Sequence, residues 1–159
     1  MDVVTLEFEN VPVDTLKMLE HHVPVRPGPA VLKAAQDRAL EKQFLNDAGI
    51  ATAPWAEVRT LDELKAAVEK IGRPSVLKTA RFGYDGKGQV KITDADDLEL
   101  CWMQLKGARC VLEGFVKFER EISVIAARSA NGEVAVYEPA ENAHKNHILD
   151  TTTLPANIT

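Results

Sequence analysis

The sequence has little cysteine, no long apolar run and no excess of basic side chains. Its two cysteines, Cys101 and Cys110, are too few for a disulfide framework, so we expect free thiols in a reducing compartment. No apolar run approaches the roughly 20 residues of a membrane-spanning helix, and the first residues lack the basic region and apolar core of a signal peptide. These absences favour a cytoplasmic protein with no membrane partner.

The charge balance argues against nucleic acid as a partner. The chain carries 19 basic and 24 acidic side chains, for a net charge of -5. General nucleic-acid binders present a basic excess on one face, although a local basic pocket for phosphates stays compatible with this composition. With 159 residues and a 45% apolar share, the chain can bury a core as one domain or two small lobes.

Hydrophobic periodicity and turn residues predict a mixed α+β fold. Helices alternate with strands, but a glycine-rich hairpin and a second hairpin at Asn131-Gly132 interrupt the alternation. Helices are expected at 14–21 and 30–48. A third helix should begin at the Thr60-x-x-Glu63 capping box, and a fourth after a cap at Thr93. Strands are expected at 3–8, 55–59, 75–79, 90–92, 110–112, 122–127 and 133–137.

Arg38 falls inside the predicted helix 30–48, whose apolar residues lie on several sides. A helix with this pattern is usually buried between other elements. An unpaired buried charge is very costly, so Arg38 needs a partner. A protein carboxylate and a ligand phosphate both satisfy that need.

Lys78 lies on a predicted strand, and a glycine-rich loop follows it. Glycines let backbone N–H groups approach a ligand closely, and a concavity of such groups binds anions. A lysine adds a point charge suited to phosphate. The spacing is neither a Walker A motif nor Gly-x-Gly-x-x-Gly, so a plain hairpin and a hairpin that folds over a nucleotide both remain open. The loop reads Gly83-Tyr84-Asp85-Gly86-Lys87-Gly88-Gln89.

Glu113 ends an apolar strand and is followed by the segment 114–116. Its carboxylate could accept a hydrogen bond from an exocyclic amine or a hydroxyl, and the backbone beyond it could meet a flat base. The alternative is an edge-strand acid in a salt bridge with Arg120 or Lys117. Elsewhere the histidines have no metal-ligand spacing, so no zinc site is expected.

Taken in order, these segments resemble the N5-carboxyaminoimidazole ribonucleotide synthetase family of the ATP-grasp superfamily. The resemblance covers essentially the whole chain. Its specific parts are Tyr-Asp-Gly-Lys-Gly-Gln at 84–89 and Glu-Phe-Glu-Asn-Val-Pro at 7–12, whereas the lysine strand is common to many ATP-grasp enzymes. The other matching segments are Gln36-Asp37-Arg38, 76–79, 112–115 and 119–124.

The resemblance implies an incomplete ATP-grasp fold of the α+β class with the remnant of a Rossmann-like domain before it. Residues 1–29 would be that pre-ATP-grasp remnant, and 30–53 a bridging helix. Residues 54–117 would form the small subdomain, or lid, and 118–159 the truncated start of the large subdomain. Both ends of the chain are expected to be cut.

The resemblance also implies an ATP-dependent ligase of purine biosynthesis. ATP would phosphorylate bicarbonate to carboxyphosphate, and the amine of 5-aminoimidazole ribonucleotide would take the carboxyl group. The carboxylates that hold Mg²⁺ with ATP would lie beyond residue 159, so no metal ligand is expected in this chain. The fragment alone is expected to be inactive, and the family is typically homodimeric.

Residue roles follow from the same resemblance. Arg38 and Lys78 would contact ATP phosphates, and loop residues 83–89 would close over the triphosphate. Tyr84 and Lys87 are also candidates for contact with the ribonucleotide or bicarbonate. Four residues would line the adenine: Glu113, Gly114, Phe115 and Val116. Glu121 would hold the ribose hydroxyls, and His144 matches a histidine of the nucleotide site.

Two alternatives remain. One is a different ATP-grasp carboxylate-amine ligase, such as a relative of biotin carboxylase or glycinamide ribonucleotide transformylase. The other is a nucleotide-binding module without catalysis. The specific segments at 84–89 and 7–12 favour the synthetase family over the first of these.

Overall fold

The computed structural model describes residues 2–83, 87–146 and 148–158. The chain divides into two compact units, Met1–Phe115 and Val116–Thr159. No helix in the described ranges is long and apolar enough to cross a membrane. The helices are α1 (Val13–Glu20), α2 (Pro29–Ala35), α3 (Arg38–Asp47), α4 (Leu61–Ile71) and α5 (Leu98–Gln104). The strands are β1 (Trp55–Val58), β2 (Ser75–Thr79), β3 (Gln89–Ile92), β4 (Cys110–Gly114), β5 (Glu121–Ser123), β6 (Ala126–Arg128), β7 (Val134–Val136), β8 (Ala140–Lys145) and β9 (Ile148–Thr153).

An antiparallel sheet with strand order β1-β4-β2-β3 organises the first unit. Successive side chains of a strand point to opposite faces, and one face of this sheet packs against α4 and α5. Thr60 caps α4 by accepting from the Glu63 amide at 3.2 Å, as the capping box predicts. The buried core of this face consists of Val58, Leu64, Ala67, Val68, Leu77, Ile92, Cys101, Leu105, Cys110 and Leu112. Both cysteines are free, in agreement with the sequence expectation.

The first residues form less regular structure than the sequence predicts. Val4 makes one isolated parallel bridge with Val25, not a strand over 3–8. The Val4 amide donates to the Pro24 carbonyl at 2.9 Å, and the Arg26 amide donates to the Val4 carbonyl at 2.8 Å. An extended segment needs a neighbouring strand to continue its ladder, and here the pairing is confined to this point.

The predicted helix 30–48 is two helices, which corrects the expectation of one. Asp37 interrupts it with extended backbone, φ −136° and ψ 112°. Its buried carboxylate accepts from the Ala39 and Leu40 amides at 3.1 and 3.3 Å, which makes Asp37 the N-cap of α3. Apolar periodicity continues across such a break, so it could not reveal the cap. The helix is also less buried than predicted, because Phe44 on α3 is 62% exposed.

Two further local predictions are wrong. Thr93 does not cap α5, because its amide and hydroxyl both donate to Asp96 in a turn, and Asp97 is the N-cap. The segment 122–127 is not one strand either. It is divided between β5 and β6, which belong to different sheets.

The second unit contains a three-stranded antiparallel sheet, β5-β8-β9, and the hairpin β6-β7. The hairpin turns at Asn131-Gly132, as predicted, and the Ser129 amide closes it by donating to the Glu133 carbonyl at 2.9 Å. Among its described residues, Ala140 and Ala156 are the buried apolar side chains. Both units thus combine short helices or loops with antiparallel strands, which confirms the mixed α+β class.

Candidate functional site

The second face of the four-stranded sheet collects polar side chains of the sequence-predicted site. Lys78 on β2 lies opposite Gln89 on β3. Val76, two residues earlier and on the same face, lies opposite Lys91 on β3 and Glu113 on β4. Directly opposed residues of antiparallel strands share a face. The alternation therefore brings Lys78, Gln89, Lys91 and Glu113 to the face away from α4 and α5.

Glu113 lies between two lysines. One carboxylate oxygen is 3.1 Å from Lys78 Nζ, and the other is 3.4 Å from Lys42 Nζ of α3. The side chains of Glu113 and Lys42 are each 13% exposed. The expectation of an edge-strand acid paired with Arg120 or Lys117 is wrong. The strand β4 lies between β1 and β2, and Glu113 pairs with Lys42 and Lys78 instead.

Arg38 begins α3 instead of lying inside a longer helix. Its guanidinium donates to the Thr79 carbonyl at 2.8 Å and to the Gly83 carbonyl at 3.2 Å. Its own amide donates to the Ala80 carbonyl at 2.9 Å. In the described residues Arg38 is thus partnered by backbone carbonyls and not by the protein carboxylate that was one of its two expected partners. The planar guanidinium of Arg38 therefore bridges the carbonyls of Thr79 and Gly83, where the glycine-rich loop begins.

The glycine-rich segment connects the antiparallel neighbours β2 and β3, which confirms a hairpin. The Thr79 amide donates to the Gly88 carbonyl at 2.8 Å. Gly88 has φ +69°, and a Cβ there would lie 2.7 Å from Thr79 Oγ1. A Cβ at Gly83 would lie 3.0 Å from a guanidinium nitrogen of Arg38 and 3.2 Å from the Lys87 carbonyl. Position 88 therefore favours glycine by its backbone conformation and its contact, whereas at Gly83 a side chain would have to displace the Arg38 guanidinium slightly. The predicted site residues Tyr84, Asp85 and Gly86 lie outside the described residues.

Arg109 connects the start of α3 to the sheet. It pairs with the buried Asp37 carboxylate and with Glu57 of β1. Burial alone would raise the pKa of Asp37, but hydrogen bonds from Arg109 and from the Leu40 and Ala39 amides outweigh it, and the pKa is lowered. The pKa of Glu57 is lowered chiefly by its hydrogen bond from Arg109. These contacts fix the end of α3 from which Arg38 projects.

The segment at 7–12 is tied to the same region through Gln36. Its side-chain amide donates to the Glu9 and Val11 carbonyls at 3.0 and 3.2 Å. Its oxygen accepts from Arg81 at 2.6 Å, and Arg81 lies at the start of the glycine-rich loop. The buried Gln36 therefore connects the specific segment 7–12 to Arg81, which precedes the second specific segment at 84–89.

The segment after Glu113 is held by its backbone. The Gly114 amide donates to the Pro54 carbonyl at 2.8 Å, and the Phe115 amide donates to the Pro74 carbonyl at 3.1 Å. The Phe115 ring is 45% exposed, and Lys91 Nζ lies 4.3 Å from its centroid, within the range of a cation–π contact. A half-exposed aromatic face beside the polar sheet face can take part in stacking.

In the second unit the structure brings Glu121 and His144 together. His144 Nδ1 lies 3.6 Å from Glu121 Oε1, which is an ion pair when the imidazole is protonated. Asn142, opposite Glu121 in register, donates to Ser123 Oγ at 2.6 Å and accepts from Thr152 Oγ1 at 3.1 Å. Neighbouring strands thus present a carboxylate and an imidazole side by side. Val116, the remaining predicted residue, is 52% exposed.

Two cavities of the first unit do not include Lys78 among their lining residues. One of about 750 Å³ is lined by residues of α4 and the 94–99 segment, and one of about 400 Å³ is lined by α1, α2 and the start of α3. No group of three or more metal-ligating side chains is found within 2–83, 87–146 and 148–158. The described cations of the site, Arg38, Lys42 and Lys78, suit an anionic ligand.

Sequence reasoning missed Lys42 and Lys91. Lys42 lies four residues after Arg38, so the two share a face of α3, and this spacing was a readable signal. Lys91 lies two residues after Gln89 on the same strand, which places both on one face. The Asp37 cap and its Arg109 partner are 72 residues apart, and no local pattern connects them.

Comparisons relate the chain to known proteins. A family model described as the ATP-grasp domain matches residues 43–159, and one described as the ribonucleotide synthetase preATP-grasp domain matches residues 1–36. The N5-carboxyaminoimidazole ribonucleotide synthase of Brucella melitensis biotype 1 is 50% identical over 159 residues, which cover 99% of this chain and 44% of that protein.

The chain is also similar to solved structures of proteins with closely similar names. The N5-carboxyaminoimidazole synthetase of Staphylococcus aureus, complexed with ADP, has a TM-score of 0.93 at 35% identity, covering 99% of this chain and 42% of that one. The synthase of Aspergillus clavatus, in complex with ADP and the aminoimidazole ribonucleotide, has a TM-score of 0.88 at 27% identity, covering 99% and 41%. The chain thus spans less than half the length of these relatives.

Proposed function

Since this chain belongs to the ATP-grasp family, we propose that it forms part of the nucleotide site of an N5-carboxyaminoimidazole ribonucleotide synthase. In the proposed reaction a bicarbonate oxygen attacks the γ-phosphorus of ATP and gives carboxyphosphate and ADP. The amine of 5-aminoimidazole ribonucleotide then takes the carboxyl group, and phosphate leaves. The similarity to the Brucella synthase supports this reaction over that of other ATP-grasp ligases.

The observation that carries the proposal is the cationic face beside the glycine-rich hairpin. Arg38 holds the carbonyls on both sides of the loop start, and Lys78 precedes the loop on β2. Phosphoryl transfer depends mostly on positioning and on charge stabilisation. We assign Arg38 and Lys78 to the ATP phosphates and the segment 83–89 to the cover over them. Tyr84 and Lys87 are further candidates for contact with the ribonucleotide or bicarbonate.

The base and the ribose are assigned to the other predicted residues. The Gly114 and Phe115 amides already donate to proline carbonyls, so we expect the adenine to use the Glu113 carbonyl and the Val116 amide. The Phe115 ring would pack on the base. Glu121 would accept from the ribose hydroxyls, and the neighbouring His144 would donate to an oxygen of the nucleotide.

The proposal includes the organisation expected from the sequence. Residues 1–29 would be the pre-ATP-grasp remnant, 30–53 a connection, 54–117 the small subdomain and 118–159 the start of the large one. Mg²⁺ would neutralise the ATP phosphates through carboxylates outside this chain. We further propose a cytoplasmic homodimer that takes bicarbonate as its second substrate.

A thermal-shift series with ATP and Mg²⁺ tests the nucleotide site. A ligand that binds only the folded state stabilises it by RT ln(1 + [L]/Kd), so the midpoint should rise with nucleotide concentration. Lys78→Ala should abolish the rise, while Lys70→Ala, an exposed lysine on α4 across the sheet, should leave it unchanged. A flat response through millimolar ATP, or an unaltered response in Lys78→Ala, contradicts the proposed site.

Turnover needs a separate assay. ADP release should depend on both bicarbonate and 5-aminoimidazole ribonucleotide in a polypeptide that spans the full length of the relatives, and this chain alone should release none. ADP release that another amine or carboxylate supports equally well would favour the alternative of a different ATP-grasp ligase.

A further inference from the structure

Glu113, Lys42 and Lys78 form a three-member charge cluster in the first unit. The two lysines take different oxygens of the carboxylate, at 3.4 and 3.1 Å. Lys42 is 13% exposed and Lys78 is 28% exposed. The more buried lysine therefore neutralises Glu113 from the α3 side, and the more open lysine faces the sheet surface.

The net charge of this cluster determines how strongly an anion is attracted to it. A Lys78–Glu113 pair by itself has no net charge, and a carboxylate in hydrogen-bond contact would offset most of the attraction of the ammonium for a phosphate. With Lys42 the cluster has a net charge of +1. Burial raises the pKa of the neighbouring Glu41 carboxyl, which also interacts with Lys42, Arg38, Glu9 and Glu113. Arg38 on the same helix offsets the charge of Glu41, and the exposed Glu9 is screened by solvent, so the cluster keeps its net charge of +1.

Placement on α3 makes Lys42 part of a rigid arrangement. Arg38 lies one helical turn earlier, and its guanidinium reaches the Thr79 carbonyl, next to Lys78. Asp37 caps the helix and is held by Arg109. The same helix therefore positions the guanidinium beside the loop and the ammonium on Glu113.

We propose that Lys42 is a positioning residue of the nucleotide site, which neutralises Glu113 so that the charge of Lys78 remains available to the phosphates of ATP. The proposal rests on the assignment of Lys78 to those phosphates. Lys42 itself need not touch the nucleotide. Its effect depends on the phosphate charge of the ligand and on the presence of the Glu113 carboxylate.

Removal of Lys42 should not unfold the chain. Glu113 keeps Lys78 as its partner in Lys42→Met, so no unpaired buried charge is created. Lys42→Arg keeps the charge and serves as a second variant if packing is disturbed. Lys70→Met, with the same change of charge on the exposed surface of α4, is the matched control.

The test measures the Kd of ATP and of adenosine by calorimetry on the full chain and its variants. Lys42→Met should weaken ATP binding about tenfold, as the loss of a close charge does, and leave adenosine binding unchanged. Because Glu113 is itself assigned to the adenine, the rescue is judged against Glu113→Gln alone: in that background the further change Lys42→Met should alter the Kd of ATP by less than about twofold, as a double-mutant cycle detects. Lys42→Arg and Lys70→Met should bind ATP normally.

The outcomes separate this inference from the proposed function. If the unaltered chain binds no ATP, or if Lys78→Ala binds it equally well, the proposed site and the inference both fail. If Lys78→Ala loses ATP binding but Lys42→Met does not, the inference alone is overturned. Equal losses for ATP and adenosine would show that Lys42 is a merely structural residue. A loss confined to ATP that persists in the Glu113→Gln background would show that Lys42 acts on the phosphates without Glu113, which also overturns the inference.

Discussion

The buried carboxylate of Asp37 both caps α3 and pairs with Arg109, a residue 72 positions later that also contacts Glu57 on β1. This pair joins the beginning of the helix that carries Arg38 and Lys42 to the edge of the four-stranded sheet. The candidate phosphate-binding side chains are thus placed by a contact that lies outside the group of residues proposed to touch the ligand.

Acid should destabilise the chain through this pair. The pKa of Asp37 and that of Glu57 are lowered in the folded state from 3.8 and 4.5. A lowered folded pKa contributes stability that is present above the unfolded value and is lost as pH falls through the folded value. The free energy of unfolding, measured by urea denaturation, should therefore fall as pH decreases below about 4.5.

Asp37→Asn should reduce this pH dependence. An asparagine can still cap a helix, but it does not titrate, so its curve between pH 5 and pH 2.5 should be flatter while its stability at pH 7 is lower. Asp62→Asn, an exposed acid in the first turn of α4, is the control. Identical pH slopes in Asp37→Asn and the unaltered chain would exclude Asp37 from the acid transition.

Gly88→Ala should destabilise the hairpin more than its backbone conformation alone requires. Left-handed backbone costs a non-glycine residue about 1–2 kcal/mol, and the new Cβ would also meet Thr79 Oγ1 at 2.7 Å. Gly49→Ala is a matched control, since Gly49 has φ +77° with nothing within 4 Å of its Cβ position. If thermal unfolding shows equal losses for the two variants, the contact with Thr79 contributes nothing.

Arg38→Lys should impair nucleotide binding although it keeps the charge. A lysine has no planar fork, so it cannot hold the Thr79 and Gly83 carbonyls together as Arg38 does. We expect a severalfold higher Kd for ATP in calorimetry. Arg128→Lys on the exposed strand β6 should have no effect. Normal ATP binding by Arg38→Lys would mean that charge alone matters at this position.

Backbone amides of the second unit should exchange with solvent faster than those of the first. Local protection follows the number of buried apolar contacts. The buried apolar side chains among the described residues of the second unit are Ala140 and Ala156, whereas β2 and β4 contain the fully buried Leu77 and Leu112. Hydrogen exchange followed by mass spectrometry should show peptides from 140–153 labelling before those from 75–79 and 110–114. Equal protection would contradict this difference.

The sequence predicted the elements whose signals are local. The Thr60 capping box, the Asn131-Gly132 turn and the glycine-rich hairpin are each encoded within a few residues, and each is confirmed. The family resemblance is likewise confirmed by the matches to the ATP-grasp domain and to the synthases. Its assignment of site residues remains a prediction, although the contacts Lys78–Glu113 and Glu121–His144 bring pairs of those residues together.

Most of the failures depend on distant partners, whereas the misplaced cap of α5 is a local error, because Asp97 is the N-cap and Thr93 donates to Asp96 instead. Apolar periodicity continues through 30–48, but the carboxylate of Asp37 ends one helix and begins the next, where Arg109 holds it. The segment 122–127 is uniformly strand-like, yet its two parts pair with different strands. Glu113 resembles an edge acid because the strand order of the sheet cannot be read from the chain order.

Local patterns in the sequence were sufficient for the Asn131-Gly132 turn, the Thr60 cap of α4, the alternation of polar and apolar side chains along the strands, and the family. Which charged side chains form ion pairs depends on the tertiary structure. Lys42, Lys78 and Glu113 come from one helix and two strands, and they meet because the sheet places β4 beside β2 with α3 alongside. Local signals depend on neighbours a few residues away, whereas an ion pair depends on distances that only the folded chain defines.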